Sequence, residues 1–494
     1  MNRKQLIGYL LVFALLNLFA TGKWVVAPFV WLIPAVGLYI IHRTPTKRGF
    51  FLLYLAAYIP MTIAWYGAAA FPMPIYPVFM LVNAFVAVLP YLIDRIFAPR
   101  LGTGFLTTLV FPLAATSIEF LLMSGGPLGS FGASAYTQAG VQPFTQLVSI
   151  TGIWGISFLI AWFGSVVNWA ITQRHAQRPF TKGVVVYAVV LTAVFLFGGV
   201  RLLTAPEPEQ TVKAASFTAV HVNMGEMMQL YQSDPEAFRQ KTQANHQTYL
   251  AQTETAVETG AEIILWPELA GLGMADDVET LVANGQELAN ANDIYLAMPL
   301  FIMDPAGEAQ TVNKMVIADP NGEIVLEHVK YGGNMLEGTQ PGSGVLQMVE
   351  TPFGKLTAVI CWDTDFPAIV SQAGQQGANI MLSPAYIWPE AAGIHADMAP
   401  FRSIENGMSI VRQSDDGYSL VSDGYGRVLS KENHIGKTGV MMVSEVPVQT
   451  VKTVYPIVGD IVGLLSILGF LIVIGIVIVK RFRQPKENAV LKAS

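Results

Sequence analysis

Eight apolar stretches, each about 20 residues long, lie near residues 5–21, 24–42, 50–69, 75–94, 104–124, 147–171, 184–203 and 456–479. A helix of that length satisfies its own backbone polar groups while crossing the hydrocarbon core of a bilayer, and outside closed barrels no other structure does. Seven of the stretches crowd into residues 1–204, and the eighth stands apart, followed by "KRFRQPKENAVLKAS". The opening "MNRK" is basic, as in a signal peptide, but no small-residue cleavage site follows and six more spans do, so the first run reads as retained. The expected organisation is a seven-span domain over 1–204, a globular domain over 212–447, a final span over 456–479 and a basic tail over 480–494.

Charge orients this arrangement. With the N-terminus inside, the cytoplasmic pieces hold fifteen Lys and Arg residues, against Lys23 and Arg201 at the outer ends. That asymmetry follows the positive-inside rule and predicts cytoplasmic termini, with residues 205–455 on the opposite face. The outer segment carries 31 Asp and Glu but only 12 Lys and Arg. An acidic surface of this kind excludes nucleic acid as a partner, which requires the opposite sign.

The outer segment alternates strand-like and helix-like patterns. "ASFTAVHVNM" (215–224), "AEIILWPE" (261–268), "IYLAMPLFIM", "VNKMVIADPNGEIVLEHVK", "GKLTAVICWD", "ANIMLSP", "MSIVRQS", "YSLVSD" and "GVMMVSEV" read as strands, with "DPNGE" (319–323) as a turn. Helical spacing covers 235–259, 276–292, about 366–377 and about 394–407. The expectation is an α/β layered domain with substantial hairpin content.

In α/β folds, chemistry collects at the carboxyl ends of strands. Three ends are loaded here: "IILWPE" leads to Glu268, "IVLEHVK" to Lys330 and "TAVIC" to Cys361, the single cysteine of the chain. Taken singly, each has an ordinary structural use: a helix cap, a solvated cation, a small core hydrophobe. Together they form a set suited to nucleophilic acyl transfer. The thiolate attacks, a carboxylate takes the thiol proton, and the ammonium with a backbone N–H after the cysteine holds the oxyanion. No His/Cys cluster suggests a metal, and no cofactor is expected.

The order Glu268, Lys330, Cys361, with "LWPE", "VICWD" and the hairpin "NKMVIADPNGEIVLEHVK", resembles the nitrilase superfamily over about 212–447. One branch of it, the bacterial apolipoprotein N-acyltransferases, resembles nearly the whole chain. "GGPLGSFGASAYTQ" (125–138), "ITGIWGISFLIAW" (150–162), "HVNMG" (221–225) and "HADMAPFRSIENGMSIVRQSDDGYS" (395–419) carry the likeness, including His395, Arg402, Glu405 and Arg412. The resemblance implies a polytopic α-helical membrane domain of about eight spans plus an extramembrane α/β nitrilase-like sandwich. It implies a multi-pass protein of the bacterial plasma (inner) membrane, with the catalytic domain on the outer face.

The implied reaction moves an acyl chain from a phospholipid to Cys361, and then from the thioester to the N-terminal amine of a diacylglyceryl-cysteine lipoprotein. Glu337 is the matching second carboxylate, and Trp362 and Asp363 stand where the family often has Tyr-Glu. Candidates for substrate entry are Glu119, an intramembrane carboxylate, with Met224, Met335, Tyr386, Trp388 and His395. Met227, Met228 and Met398 are also expected in loops that accept acyl chains, and a monomer is expected. The rival readings are a membrane-tethered amidase that uses water as acceptor, and a non-catalytic scaffold or transporter.

Overall fold

The computed structural model describes residues 1–69, 71–304, 310–333 and 337–483. Helices stand at all eight expected positions: Arg3–Leu18, Ala27–Arg43, Thr46–Ala64, Ile75–Leu101, Val110–Ser124, Ile153–His175, Thr181–Leu203 and Ile461–Arg483. Among the described residues, five helices are long and apolar enough to cross a membrane by length and composition alone: Ile75–Leu101, Phe105–Ser124, Ile153–His175, Thr181–Leu203 and Ile461–Arg481. The other three fall short for local reasons. Arg3–Leu18 has 16 residues, Ala27–Arg43 has 17, and Thr46–Ala64 opens on Lys47 and Arg48, which lower its hydropathy. The expected count of about eight thus becomes five on this criterion.

Two expected spans are interrupted. The run over 147–171 breaks at Gly152, at φ +58°, into Val148–Thr151 and Ile153–His175. The run over 456–479 breaks into a short turn, Tyr455–Val458, and Ile461–Arg483. The two breaks meet. The Val454 N–H donates to the Ser149 carbonyl (2.8 Å), and Asp460 accepts from the Trp154 indole (2.8 Å) and the Tyr455 hydroxyl (2.9 Å). The last helix is therefore pinned at its start to the break in an earlier one.

The intervening segment folds into two sheets packed face to face. The first runs Val440–Pro447, Thr211–Thr218, Ile263–Leu265, Tyr295–Met303, Val312–Ala318, Ile324–Val329, with Gly271–Met274 also paired to Tyr295–Met303. The second runs Val428–Asn433, Tyr418–Ser422, Ser409–Asp415, Ile380–Tyr386, Gly354–Ala358, Val349–Thr351. Thr211–Thr218, Ile263–Leu265 and Tyr295–Met303 run parallel, as do Gly354–Ala358, Ile380–Tyr386 and Ser409–Asp415. Parallel strands are covered on both faces, which is why "EIILW" and "LTAVIC" read as unbroken apolar runs.

Ile263, Leu265, Ala297 and Ile317 of one sheet meet Ala358, Leu382, Val411 and Val421 of the other. The outer face of the first sheet is covered by Pro235–Val257 and Ala275–Asn292, and that of the second by Pro367–Gln376 and Ala399–Asn406. The helix expected over about 394–407 is two helices, Pro389–Ala396 and Ala399–Asn406. The result is an α-β-β-α sandwich.

Helix Ala399–Asn406 ends at Gly407, at φ +69°, where a Cβ would lie 1.7 Å from the Val451 carbonyl oxygen. That contact lies on the path to the last helix. Gly407→Ala should destabilise the protein by about 2 kcal/mol or more, read as a lower Tm in detergent. Gly436→Ala, at φ +64° with nothing within 4 Å of its Cβ, should cost less.

Candidate active site

The three loaded strand ends converge. Glu268 follows Ile263–Leu265 after Trp266 and Pro267, and Leu269 next to it has φ +71°. One Glu268 oxygen accepts from the Lys330 ammonium (2.7 Å) and from the Asn313 amide (2.8 Å), and the other from the Tyr386 N–H (2.9 Å). Lys330 follows Ile324–Val329, is fully buried, and is also bonded to the Glu337 carboxylate. Cys361 opens a five-residue 3₁₀ turn, Cys361–Asp365, after Gly354–Ala358. Its φ is +47°, a conformation that residues other than glycine hold only when their surroundings enforce it. Its Sγ lies 3.5 Å from the Tyr386 carbonyl oxygen. Glu268 and Cys361 therefore contact the same backbone residue, one at its N–H and the other at its C=O.

Asp363 accepts four hydrogen bonds: from the N–H groups of Tyr331 (2.9 Å), Gly332 (2.7 Å) and Ile360 (2.9 Å), and from His328 (2.7 Å). All of its acceptor capacity faces structure, so it anchors the cysteine turn to the segment after Lys330. His395 bonds the Asp365 carboxylate through Nε2 (2.8 Å) and Arg412 through Nδ1 (2.7 Å). Arg412 has only donors, so Nδ1 is the acceptor and the imidazole proton sits on Nε2.

A cavity of about 810 Å3 runs between the apolar helices and the cysteine turn. Phe13, Tyr91 and Phe111 line it from the helices, Glu119 and Leu128 from the 119–128 region, and Trp362 from the turn. Glu268, Lys330 and Cys361 are not among the residues that line it, so the cavity meets the site at Trp362. Glu119 accepts from the Ser134 N–H (2.7 Å) and hydroxyl (3.2 Å), so this carboxylate braces the loop as well as lining the cavity. Met224 opens helix Met224–Ser233 and packs with Tyr386 in one apolar cluster. Trp388 donates its indole N–H to the Gly67 carbonyl (2.6 Å), joining the sandwich to the membrane part. Met335 lies outside the described residues.

Residues 221–453 match the carbon-nitrogen hydrolase family, and residues 8–166 match the apolipoprotein N-acyltransferase N-terminal domain. The chain is 25% identical over 447 residues to an apolipoprotein N-acyltransferase of Geobacter metallireducens, covering 82% of each. It is 27% identical over 398 residues to one of Bradyrhizobium diazoefficiens, covering 72% of this chain and 71% of that one. A solved amidase from Nesterenkonia sp. is similar to 48% of this chain and 91% of its own, with 22% identity and a TM-score of 0.40. The chain belongs to the apolipoprotein N-acyltransferase family, within the nitrilase superfamily.

In this family member the site's charges are coupled. Burial pulls the Lys330 ammonium down, but the Glu268 and Glu337 carboxylates outweigh it and hold the group well above its ordinary value. Burial, and then the Glu268 charge, push the Cys361 thiol well above its ordinary value, with Lys330 and Arg412 opposing. The resting pair is thus a neutral thiol beside an ammonium. Burial lowers His395, so its imidazole is neutral. Asn313 was not singled out in the sequence, although a buried Asn at an inward strand position signals a polar partner. The Ser130 contact to Asp365 was also missed, because the two lie 235 residues apart.

A raised thiol pKa means that the reactive thiolate is scarce at neutral pH. Alkylation of Cys361 by iodoacetamide, without substrate, should therefore be slower at pH 7 than that of a free thiol. The rate should still be climbing above pH 9, the ordinary thiol value. A plateau below pH 9 would contradict this assignment.

Proposed function

We propose that the protein transfers an acyl chain from a phospholipid to the N-terminal amine of a diacylglyceryl-cysteine lipoprotein, with Cys361 as the carrier. Family membership supports the overall reaction. The observation that carries the site assignment is the position of Cys361. It is held at a disfavoured φ on the same backbone residue as Glu268, and its neighbour Trp362 faces a cavity among apolar helices.

In the first half-reaction Glu268 takes the thiol proton and Sγ attacks the ester carbonyl carbon. The oxyanion is received by the Lys330 ammonium and by the Trp362 N–H at the start of the turn, where helix-type N–H groups lack intrahelical partners. Collapse breaks the ester C–O bond, and Glu268 returns its proton to the departing lysophospholipid oxygen. In the second half-reaction the lipoprotein amine attacks the thioester carbonyl, Glu268 takes the amine proton, and the amide forms as the thiolate leaves. Proton return restores the thiol. Glu337 is a second carboxylate on Lys330, and the Asn313 amide orients both carboxylates (2.8 and 3.4 Å).

A buried charged set adjoining an apolar cavity suits two lipid substrates that reach the site from bilayer height. We assign the eight helices to eight spans, with both termini cytoplasmic, the sandwich on the outer face and the protein active as a monomer. The domain limits are 1–204, 212–447, 456–479 and 480–494. The amidase reading would route water to the same thioester, but it gives the apolar cavity no role.

Incubated with a phospholipid of defined acyl chain, the purified protein should gain the mass of one acyl group. Hydroxylamine should remove it, Cys361→Ala should lack it, and a diacylglyceryl peptide should discharge it as an acylated peptide. Discharge only to free fatty acid would favour the amidase reading. The absence of both adduct and lysophospholipid would exclude phospholipid as donor.

A further inference from the structure

The loop after helix Val110–Ser124 lines the apolar cavity with Leu128, Gly129 and Phe131. The same loop grips the nucleophile turn. Ser130 donates its N–H (2.7 Å) and its hydroxyl (2.8 Å) to the carbonyl of Asp365, the last residue of the turn. Both lone pairs of that carbonyl oxygen are then used. Gly129, at φ +54°, brings the backbones together, since a Cβ there would lie 2.4 Å from the same oxygen.

The grip extends further. Arg402 donates to the Tyr136 hydroxyl (2.6 Å), and that hydroxyl lies 2.7 Å from Ser130 Oγ. Arg402 has no acceptor and the Ser130 proton goes to Asp365, so the Tyr136 proton points to Ser130. The chain Arg402, Tyr136, Ser130, Asp365 is polarised in one direction, and every member is buried.

The nucleophile turn is thus anchored twice. Asp363 and the Asp365 carboxylate, on His395, fix it within the sandwich, and Ser130 fixes the backbone of its far end to the membrane part. A cysteine at positive φ stays there only while its surroundings over-determine it. We propose that Ser130 is a positioning residue for Cys361. Its hydroxyl holds the far end of the turn, which keeps the thiol and the Trp362 N–H aligned and ties that alignment to the loop lining the lipid cavity. This proposal rests on the reading of Cys361 as the acyl-carrying nucleophile.

The test uses the full chain in lipid nanodiscs, with Ser130→Ala, Ser130→Thr and Tyr136→Phe. Single-turnover acylation by a defined phospholipid is followed by intact mass across donor concentrations. Ser130→Ala should lower the saturated rate on the order of tenfold and leave the half-saturating donor concentration within about twofold. Ser130→Thr, which keeps the hydroxyl, should recover most of the loss. Unchanged rates in Ser130→Ala would overturn the proposal. So would a change confined to half-saturation, which would make Ser130 a cavity contact.

If the wild type takes no acyl group, the functional reading fails by itself, and iodoacetamide alkylation of Cys361 judges the proposal. The Ser130→Ala rate should then differ from wild type by about threefold or more, with Ser130→Thr restoring it, and equal rates in all three would overturn it. If Ser130→Ala does not fold, Tyr136→Phe is read on the same scale. It should show a smaller effect in the same measurement, and no effect would overturn the proposal.

Discussion

An ammonium with no access to water must be neutralised where it stands, and much of this site can be read as the answer to that requirement for Lys330. The desolvation cost of a buried charge is several kcal/mol and is offset only by close, well-placed partners. Lys330 is bonded directly to Glu268 (2.7 Å) and to Glu337, with Asn313 spanning the two carboxylates. These groups come from separate strands and loops, so the sheet register is what brings the charges together. Removing Lys330 would leave two carboxylates in the interior without their counter-charge. Stability and chemistry therefore constrain the same four side chains.

The cysteine turn answers a different requirement. A strained φ at Cys361 persists because neighbouring backbone groups leave it no alternative. Asp363 supplies four of those restraints from inside the sandwich, and Asp365 receives others from Ser130 and His395. Both aspartates of "CWDTD" thus turn their carboxylates into the sandwich, Asp363 onto His328 and Asp365 onto His395, and the Asp365 backbone carbonyl alone reaches Ser130 of the membrane part.

Much of this was legible in the chain. The apolar runs placed all eight helices, because their length and composition are local properties. Glu268, Lys330 and Cys361 stood out because parallel strands end where the apolar run ends. The assignments that shifted depend on remote partners. Gly152 breaks a run that is apolar throughout, and hydropathy does not register a positive φ. Glu119 read as an intramembrane carboxylate at the substrate entrance, and its partner, Ser134, lies in the next loop. Asp363 read as a supporting residue, and its partners, His328, Tyr331 and Gly332, lie more than 30 residues away. Asn313 and Ser130 are ordinary residues in sequence, and only the fold brings them to Glu268 and Asp365.

The seam between the last helix and its neighbour bears on how the molecule is made. Gly463 lies against the Phe120 ring and Gly469 against Leu113, so the final helix seats two small residues on the face of Val110–Ser124. Small residues at such seams let helices approach closely in lipid. During synthesis that face is exposed for more than 300 residues of elongation, until 461–483 emerges. The turn that carries Cys361 is translated about 100 residues before the seam can close. The seam with Val110–Ser124 can therefore close only after the segment that carries Cys361 has been made.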